Sequence, residues 1–408
     1  MRIGVRHRFA LAVLLLLVWA AAFAAPDEDL LGKRQGYPVC KQPWVGSRDQ
    51  QCFVGNLSHY DEVVPARLVK AATPSTLKRA EREPKIRYRG GDIDAFLAAN
   101  RNTGLLIIKD GTVLVERYQY ERKPEHRFQS FSMAKTVLAM LMGIAIADGR
   151  IGSVDDPAQQ YVPELKGRLY GETKLRHLLT MSSGVRFTED YSGRDDVTIL
   201  ARKTLAGEGP GGVDSVLPFN ERDHPAGTVF HYASAESEVL ALVLRNAVGK
   251  PLAEYLSEKI WQPMGAEADA TWLVDAGGYE LGYMGLNATL RDWGRIGMLL
   301  ANAGAVDGQQ IVPAAWVKAM ITPESPHLRR GTATRYNGYG YQTWLIGDMS
   351  GNTKNAFALF GLRGQSVFVD PDTKLVIVHT AVYDMGDPRA RDDQFGLFFG
   401  ALSSLKDL

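Results

Sequence analysis

A serine hydroxyl is a weak nucleophile until a neighbour takes its proton, and a lysine can do so where burial lowers its pKa. Ser132-Met133-Ala134-Lys135 puts a serine and a lysine on one helix face, three residues apart. The same spacing occurs at Ser75 to Lys78 and at Ser403 to Lys406, so spacing alone does not select a nucleophile. Context does. Ser75 follows Pro74 in a polar stretch, and Ser403 lies near the chain end, where helices fray. Ser132 heads an apolar run, Met133 to Asp148, rich in Ala, Leu and Met and stopped by Gly149. A helix apolar on every face carries Lys135 inward, and lysine is among the residues least often buried without a role.

A second group has to relay the proton to the leaving group, and a tyrosine can do so beside a cation. Tyr-x-Ser occurs at Tyr232 and at Tyr255. Tyr255 falls inside the helical pattern Leu252 to Ile260, where a tyrosine packs. Tyr232 follows the turn Pro225-Ala226-Gly227 and a short extended run, from which it can project into a cleft. The negative charge that develops on a cleaved carbonyl also needs backbone N–H groups aimed at it. The N–H of Ser132 at its helix start is one source. Gly361-Leu362-Arg363-Gly364-Gln365 is another, because its glycines permit close backbone approach.

Several elements must position these groups. Leu105 to Lys109 and Val113 to Tyr120 flank Asp110-Gly111, a hairpin signal, and Ser366 to Asp370 and Lys374 to Val382 flank Pro371-Asp372-Thr373, a second one. Between about residues 150 and 335, apolar helical patterns such as Val239 to Val248 and Leu290 to Leu300 alternate with Gly/Pro loops. Phe395 to Leu405 reads as a closing helix. Strands near both ends around a helical middle predict an α+β fold: an antiparallel sheet built from the two termini, flanked by helices, with a mostly helical region inserted. Residues 26–95, polar and rich in proline, read as an extension on a main domain at 96–408.

Arg2, Arg6 and Arg8, the apolar run Phe9 to Phe23 and the small residues Ala24 and Ala25 have the order of a secretory signal peptide, so residues 1–25 are expected to be removed and the protein to be periplasmic or extracellular. No later segment reaches bilayer length without charges, so no membrane span is expected after cleavage. In an oxidising compartment Cys40 and Cys52, the only cysteines, can close one short loop. With 47 basic and 46 acidic residues there is no cationic excess to hold a nucleic acid. The eight histidines include no His-Glu-x-x-His pattern, and Gly-x-Ser-x-Gly is absent, so neither a metal site nor a nucleophile elbow is expected.

Taken in order, Phe131-Ser132-Met133-Ala134-Lys135, Leu178-Leu179-Thr180-Met181-Ser182-Ser183-Gly184, Tyr232-Ala233-Ser234 and Gly361-Leu362-Arg363-Gly364-Gln365 resemble the β-lactamase-related serine hydrolases, and within them the 6-aminohexanoate-dimer hydrolase group. The resemblance covers about residues 100–400. It implies a β-lactamase/transpeptidase-like fold and cleavage of a small ester or amide through an acyl-enzyme, with no cofactor. Ser132 would be the nucleophile, Lys135 and Tyr232 the proton shuttle, and the N–H groups of Ser132 and Leu362 the oxyanion hole. Tyr191, Ser234, Gly361 and Arg363 would contact substrate. Where β-lactamases and penicillin-binding proteins carry Lys-Thr-Gly on an edge strand, this chain has Leu359-Phe360-Gly361, and the nearby Arg363 is the cation that could replace the lysine. The second triplet ends in Ser234 and not the usual Asn. A non-catalytic sensor or scaffold, and a β-lactamase or D-alanyl-D-alanine carboxypeptidase, are the competing readings.

Overall fold

Asp110 and Gly111 both take positive φ, +47° and +74°, the conformation of a two-residue hairpin turn. They fold Asn102–Lys109 back on Thr112–Tyr118. The computed structural model describes residues 25–41, 49–347 and 353–406; the apolar run read as a signal peptide lies outside them. The C-terminal hairpin, Ser366–Asp370 and Leu375–Ala381, docks on the first one, with Leu375 opposite Lys109 and Ala381 opposite Asn102. The chain ends therefore close one sheet of eight strands. Its order is Asn337–Tyr339, Trp344–Ile346, Phe357–Phe360, Ser366–Asp370, Leu375–Ala381, Asn102–Lys109, Thr112–Tyr118, Lys78–Arg79. The strand of Leu359 is thus interior to the sheet and not at its edge, because the 337–346 hairpin covers it.

Strand alternation sorts the apolar residues to two sides. Leu106, Ile108, Val367, Val369, Val376 and Val378 face the large core that contains the helices Ala134–Ala147, Ser234–Val248 and Leu290–Ala301. Leu105, Ile107, Phe368 and Ile377 face a smaller core under the helix Pro388–Ser404. That last helix starts before Phe395, where its apolar periodicity begins, because a proline is tolerated in the first turn and the polar residues after it need no buried face.

Twelve of the fourteen residues of Ala134–Ala147 are buried. Each fully buried Leu, Ile or Met there contributes about 1.5–3 kcal/mol, enough to carry Lys135 with them. The inserted region is less helical than its apolar runs imply. Ala270–Leu273 and Leu286–Ala288 form a second sheet with Ala66–Val69 and Phe128–Gln129. Two of these strands come from outside the region, and all are of two to four residues, too short to show a period of two. The N-terminal residues also do more than lie on the surface: Leu31, Tyr37, Phe53, Val54, Leu57 and Tyr60 are part of the large core, and Cys40 and Cys52 are joined. Among the described residues no helix is long and apolar enough to cross a membrane.

Candidate active site

The second sheet delivers the serine. Strand Phe128–Gln129 ends at Ser130, whose N–H donates to the Leu286 carbonyl at 3.0 Å. Phe131 then takes φ +44°, a left-handed conformation that costs about 1–2 kcal/mol for a residue with a Cβ and persists only where the surroundings fix it. The Gln129 side chain accepts the Phe131 N–H at 3.1 Å, and the Phe131 ring is buried. Ser132 does not open the long helix itself. It sits in the 3-10 turn Phe131–Met133 just before it, partly exposed and not acting as a side-chain cap.

Lys135 lies one turn further on with only 1% of its surface exposed. Its Nζ has three oxygen partners: Ser132 Oγ at 2.9 Å, Ser234 Oγ at 3.1 Å and the Tyr283 carbonyl at 2.9 Å. Burial lowers its pKa to about 8, against the opposing pull of the Glu189 and Glu238 carboxylates. A neutral amine can direct two N–H bonds at Ser234 and Tyr283 and its lone pair at the Ser132 hydroxyl. Ser234 can accept from Lys135 because its own hydroxyl donates to Glu189 Oε1 at 2.9 Å, while its N–H donates to Glu189 Oε2 at 2.8 Å. Serine in place of the usual Asn therefore still leaves an acceptor on Lys135.

Tyr232 approaches from the loop before Ser234–Val248. Its ring centroid is 5.0 Å from Lys135 Nζ, and the nearby Ser132 hydroxyl favours its charged form. Burial raises its pKa above the ordinary value, with Glu189 adding to the effect. The ring stacks on Trp344 at 5.4 Å and meets Tyr339 edge-on. Tyr255, the other Tyr-x-Ser, packs in its helix and donates to Asp148.

A cavity of about 590 Å³ opens beside Ser132. Phe131, Glu189, Tyr191, Ser234, Leu362 and Arg363 are among its walls, together with Gln50 and Asp384. Gly361 is not among the lining residues. Its place is structural, since a Cβ there would stand 2.2 Å from the Ser130 carbonyl, so glycine alone lets the Leu362 turn reach the Ser132 turn. Arg363 is not a freely presented cation: it is 7% exposed, stacks on Phe53 at 3.9 Å and donates to the Tyr383 carbonyl at 3.0 Å. Leu359 is fully buried in the large core. Tyr191 is half-buried and donates to Glu189 Oε1 at 2.7 Å.

Two partners escaped the sequence reading. Glu189 stands beside Tyr191 in Glu189-Asp190-Tyr191, but nothing in that triplet tells which carboxylate turns inward. Tyr283 serves Lys135 through its carbonyl, which leaves no side-chain signature. At the other two Ser-x-x-Lys sites the lysine is exposed: Lys78 lies in a short strand and Lys406 follows the last helix. Ser75 is held by the Gly265 carbonyl and Arg295 instead.

A serine whose hydroxyl meets a buried lysine, beside a sheet closed by the first and last hairpins, fits a serine hydrolase. The chain belongs to the β-lactamase family, which matches residues 92–396. It is similar to the 6-aminohexanoate-dimer hydrolase of Paenarthrobacter ureafaciens, 28% identical over 345 residues, 80% of this chain and 85% of that protein. Among solved structures, a candidate 6-aminohexanoate-dimer hydrolase from Bacillus anthracis superposes with a TM-score of 0.79 at 25% identity over 91% of this chain and 98% of that one. A family VIII carboxylesterase shares the fold, with a TM-score of 0.58 at 17% identity over 76% and 97%.

Proposed function

We propose that this protein is an exported serine hydrolase that cleaves a small ester or linear amide through an acyl-enzyme on Ser132. The observation that carries the reading is the buried Lys135 Nζ 2.9 Å from the Ser132 hydroxyl at the wall of a cavity, with the Tyr232 ring 5.0 Å from the same amine. Neutral Lys135 takes the Ser132 proton as Oγ attacks the carbonyl carbon. The N–H groups of Ser132 and Leu362 receive the oxyanion. As the intermediate collapses and its C–O or C–N bond breaks, Tyr232 gives its phenol proton to the leaving oxygen or nitrogen and takes the one held by Lys135; water then adds to the acyl-enzyme, losing a proton to Lys135, and the Ser132 Oγ–acyl bond breaks as Oγ regains a proton and the acid departs. Glu189 and Ser234 hold the amine in place, and Tyr191 lines the substrate cavity. Resemblance to an amide-cleaving relative and to a carboxylesterase supports both substrate classes.

The test is a panel of single variants assayed on p-nitrophenyl esters and linear amides, with circular dichroism as the folding control. Ser132→Ala should abolish hydrolysis and, since Ser132 caps no helix, change stability by no more than about 1 kcal/mol. Lys135→Ala and Tyr232→Phe should each lower kcat by roughly a thousandfold or more, because members of one proton-transfer unit fail together. A fluorophosphonate should label Ser132 alone. Near-normal turnover by folded Ser132→Ala, or a label on another serine, would refute the assignment and favour the non-catalytic reading.

A further inference from the structure

The N-terminal residues before 92 lie outside the span that matches the family, yet two of them reach the site. Gln50 is a wall of the cavity, where its side chain spans Arg101 (2.9 Å) and Asp384 (3.2 Å). Phe53, three residues on, is 4% exposed and offers its ring face to the Arg363 guanidinium at 3.9 Å. Both sit beside the Cys40–Cys52 link. The segment is itself tightly packed: a Cβ on Gly55 would stand 2.2 Å from the Pro38 carbonyl, and Cys40 N–H donates to Asn56 Oδ1 at 2.7 Å.

Arg363 is held by Phe53 in addition to the backbone of its own turn, where the Tyr383 N–H donates to the Arg363 carbonyl at 3.2 Å and Gln394 Nε2 to the Gly364 carbonyl at 2.6 Å. It takes φ +59° in the turn Leu362–Gly364, a conformation that a residue with a Cβ holds only when its environment compels it. The peptide before it carries the Leu362 carbonyl, and the N–H of Leu362 is one turn position away. Rotation about Arg363 would therefore re-aim the whole turn. The contacts opposing rotation include the Phe53 ring, on the N-terminal side, and the Tyr383 carbonyl. We propose that Phe53 is a positioning residue of the active site: by holding the Arg363 guanidinium it fixes the left-handed turn that aims the Leu362 N–H at the oxyanion. This rests on the role assigned above to Leu362. It gives the N-terminal extension a place in catalysis.

The experiment is a double-variant cycle of Phe53→Leu and Arg363→Gly, with Phe53→Tyr as the conservative control, all measured for kcat, KM and Tm on a p-nitrophenyl ester. Leucine keeps the apolar volume and removes the ring face. Phe53→Leu should lower kcat about 10- to 100-fold, the range for a misaimed oxyanion donor, with KM nearly unchanged, and Phe53→Tyr should restore it. Glycine admits positive φ but does not fix it, so Arg363→Gly alone should lower kcat, and with no guanidinium left for the ring to hold, Phe53→Leu in that background should cost no further kcat. Independent, multiplying losses, a loss confined to KM, or Phe53→Tyr as poor as Phe53→Leu would overturn the proposal. If Phe53→Leu does not fold, Phe53→Tyr and Arg363→Gly still decide it: wild-type kcat in the first and a lowered kcat in the second is the expected pair, and an unchanged kcat in the second is fatal. Ser132→Ala run alongside separates the two claims, since an active Ser132→Ala sinks the underlying mechanism whatever Phe53 does.

Discussion

In the proposed mechanism Lys135 must be uncharged to accept the Ser132 proton, and burial brings its pKa to about 8. The sign follows directly: below that value the ammonium has no lone pair and the enzyme is idle, so kcat/KM should rise with pH and level off above about 8. Glu238 opposes the shift, since its carboxylate favours the charged amine. It is fully buried, accepts the Gly282 N–H at 2.8 Å, and its own pKa is raised to about 8, chiefly by burial. The charged groups facing this pair are Glu189 on the Lys135 side and Asp275 and Glu280 on the Glu238 side. The limb therefore belongs to a coupled pair. In Glu238→Gln, which keeps an acceptor for Gly282 but never ionises, the limb should move to lower pH. A pH–rate profile with an unchanged limb would show that Glu238 does not sense Lys135. Ser132 and Lys135 were legible from the sequence because a lysine in a wholly apolar helix contradicts ordinary burial. Arg363 was not, since its partner Phe53 lies more than 300 residues away and no local pattern joins them.

The helix Ser234–Val248 carries a second buried acid. Glu236 Oε1 accepts the Ser183 hydroxyl at 2.6 Å and the Ser183 N–H at 3.2 Å, and Oε2 has no protein partner. Burial raises its pKa from 4.5 to about 8. Between those values the folded protein keeps a proton that the unfolded chain releases, so stability falls as pH rises through the window and levels off above it. Glu236→Gln should remove part of that loss: thermal melts at pH 5 and pH 8 should differ less in the variant than in the parent. An equal difference in both would place the ionisation elsewhere. The contact also ties the helix to Leu178-Leu179-Thr180-Met181-Ser182-Ser183-Gly184, so that motif supports the Tyr232 and Ser234 side of the site and not substrate directly. At this scale the long helices and both hairpins could be read from apolar runs and turn residues. The second sheet could not, because Phe128–Gln129 and Leu286–Ala288 gain their pairing from partners remote in sequence.

Across the whole molecule the eight-stranded sheet separates two apolar layers with different duties. The large core holds the Ser132 helix and much of the cavity floor, whereas the smaller one lies between the sheet and Pro388–Ser404, a helix whose polar side reaches the Leu362 turn through Arg391 on the Gly361 carbonyl (3.3 Å) and Gln394 on the Gly364 carbonyl (2.6 Å). That division was partly legible: the hairpins placed strands from both ends of the domain in one sheet, but the sides of these continuously apolar strands, and the layer in which the chemistry sits, depended on the docking of the Ser132 helix. Phe398 tests the separation. It is fully buried in the smaller core, stacked on Phe368 at 5.1 Å and 26°, and it also meets Phe399 at 5.5 Å. Phe398→Ala removes a ring that neighbouring side chains cannot replace and should destabilise the fold by about 3–5 kcal/mol. Since distant sites act independently to within a few tenths of a kcal/mol, kcat/KM of the folded protein well below its Tm should stay within about twofold of the parent. Denaturant melts and ester kinetics on the same preparation check both halves. A large fall in kcat/KM at full folding would mean that the sheet transmits strain to the Ser132 side and that the two layers are not separate.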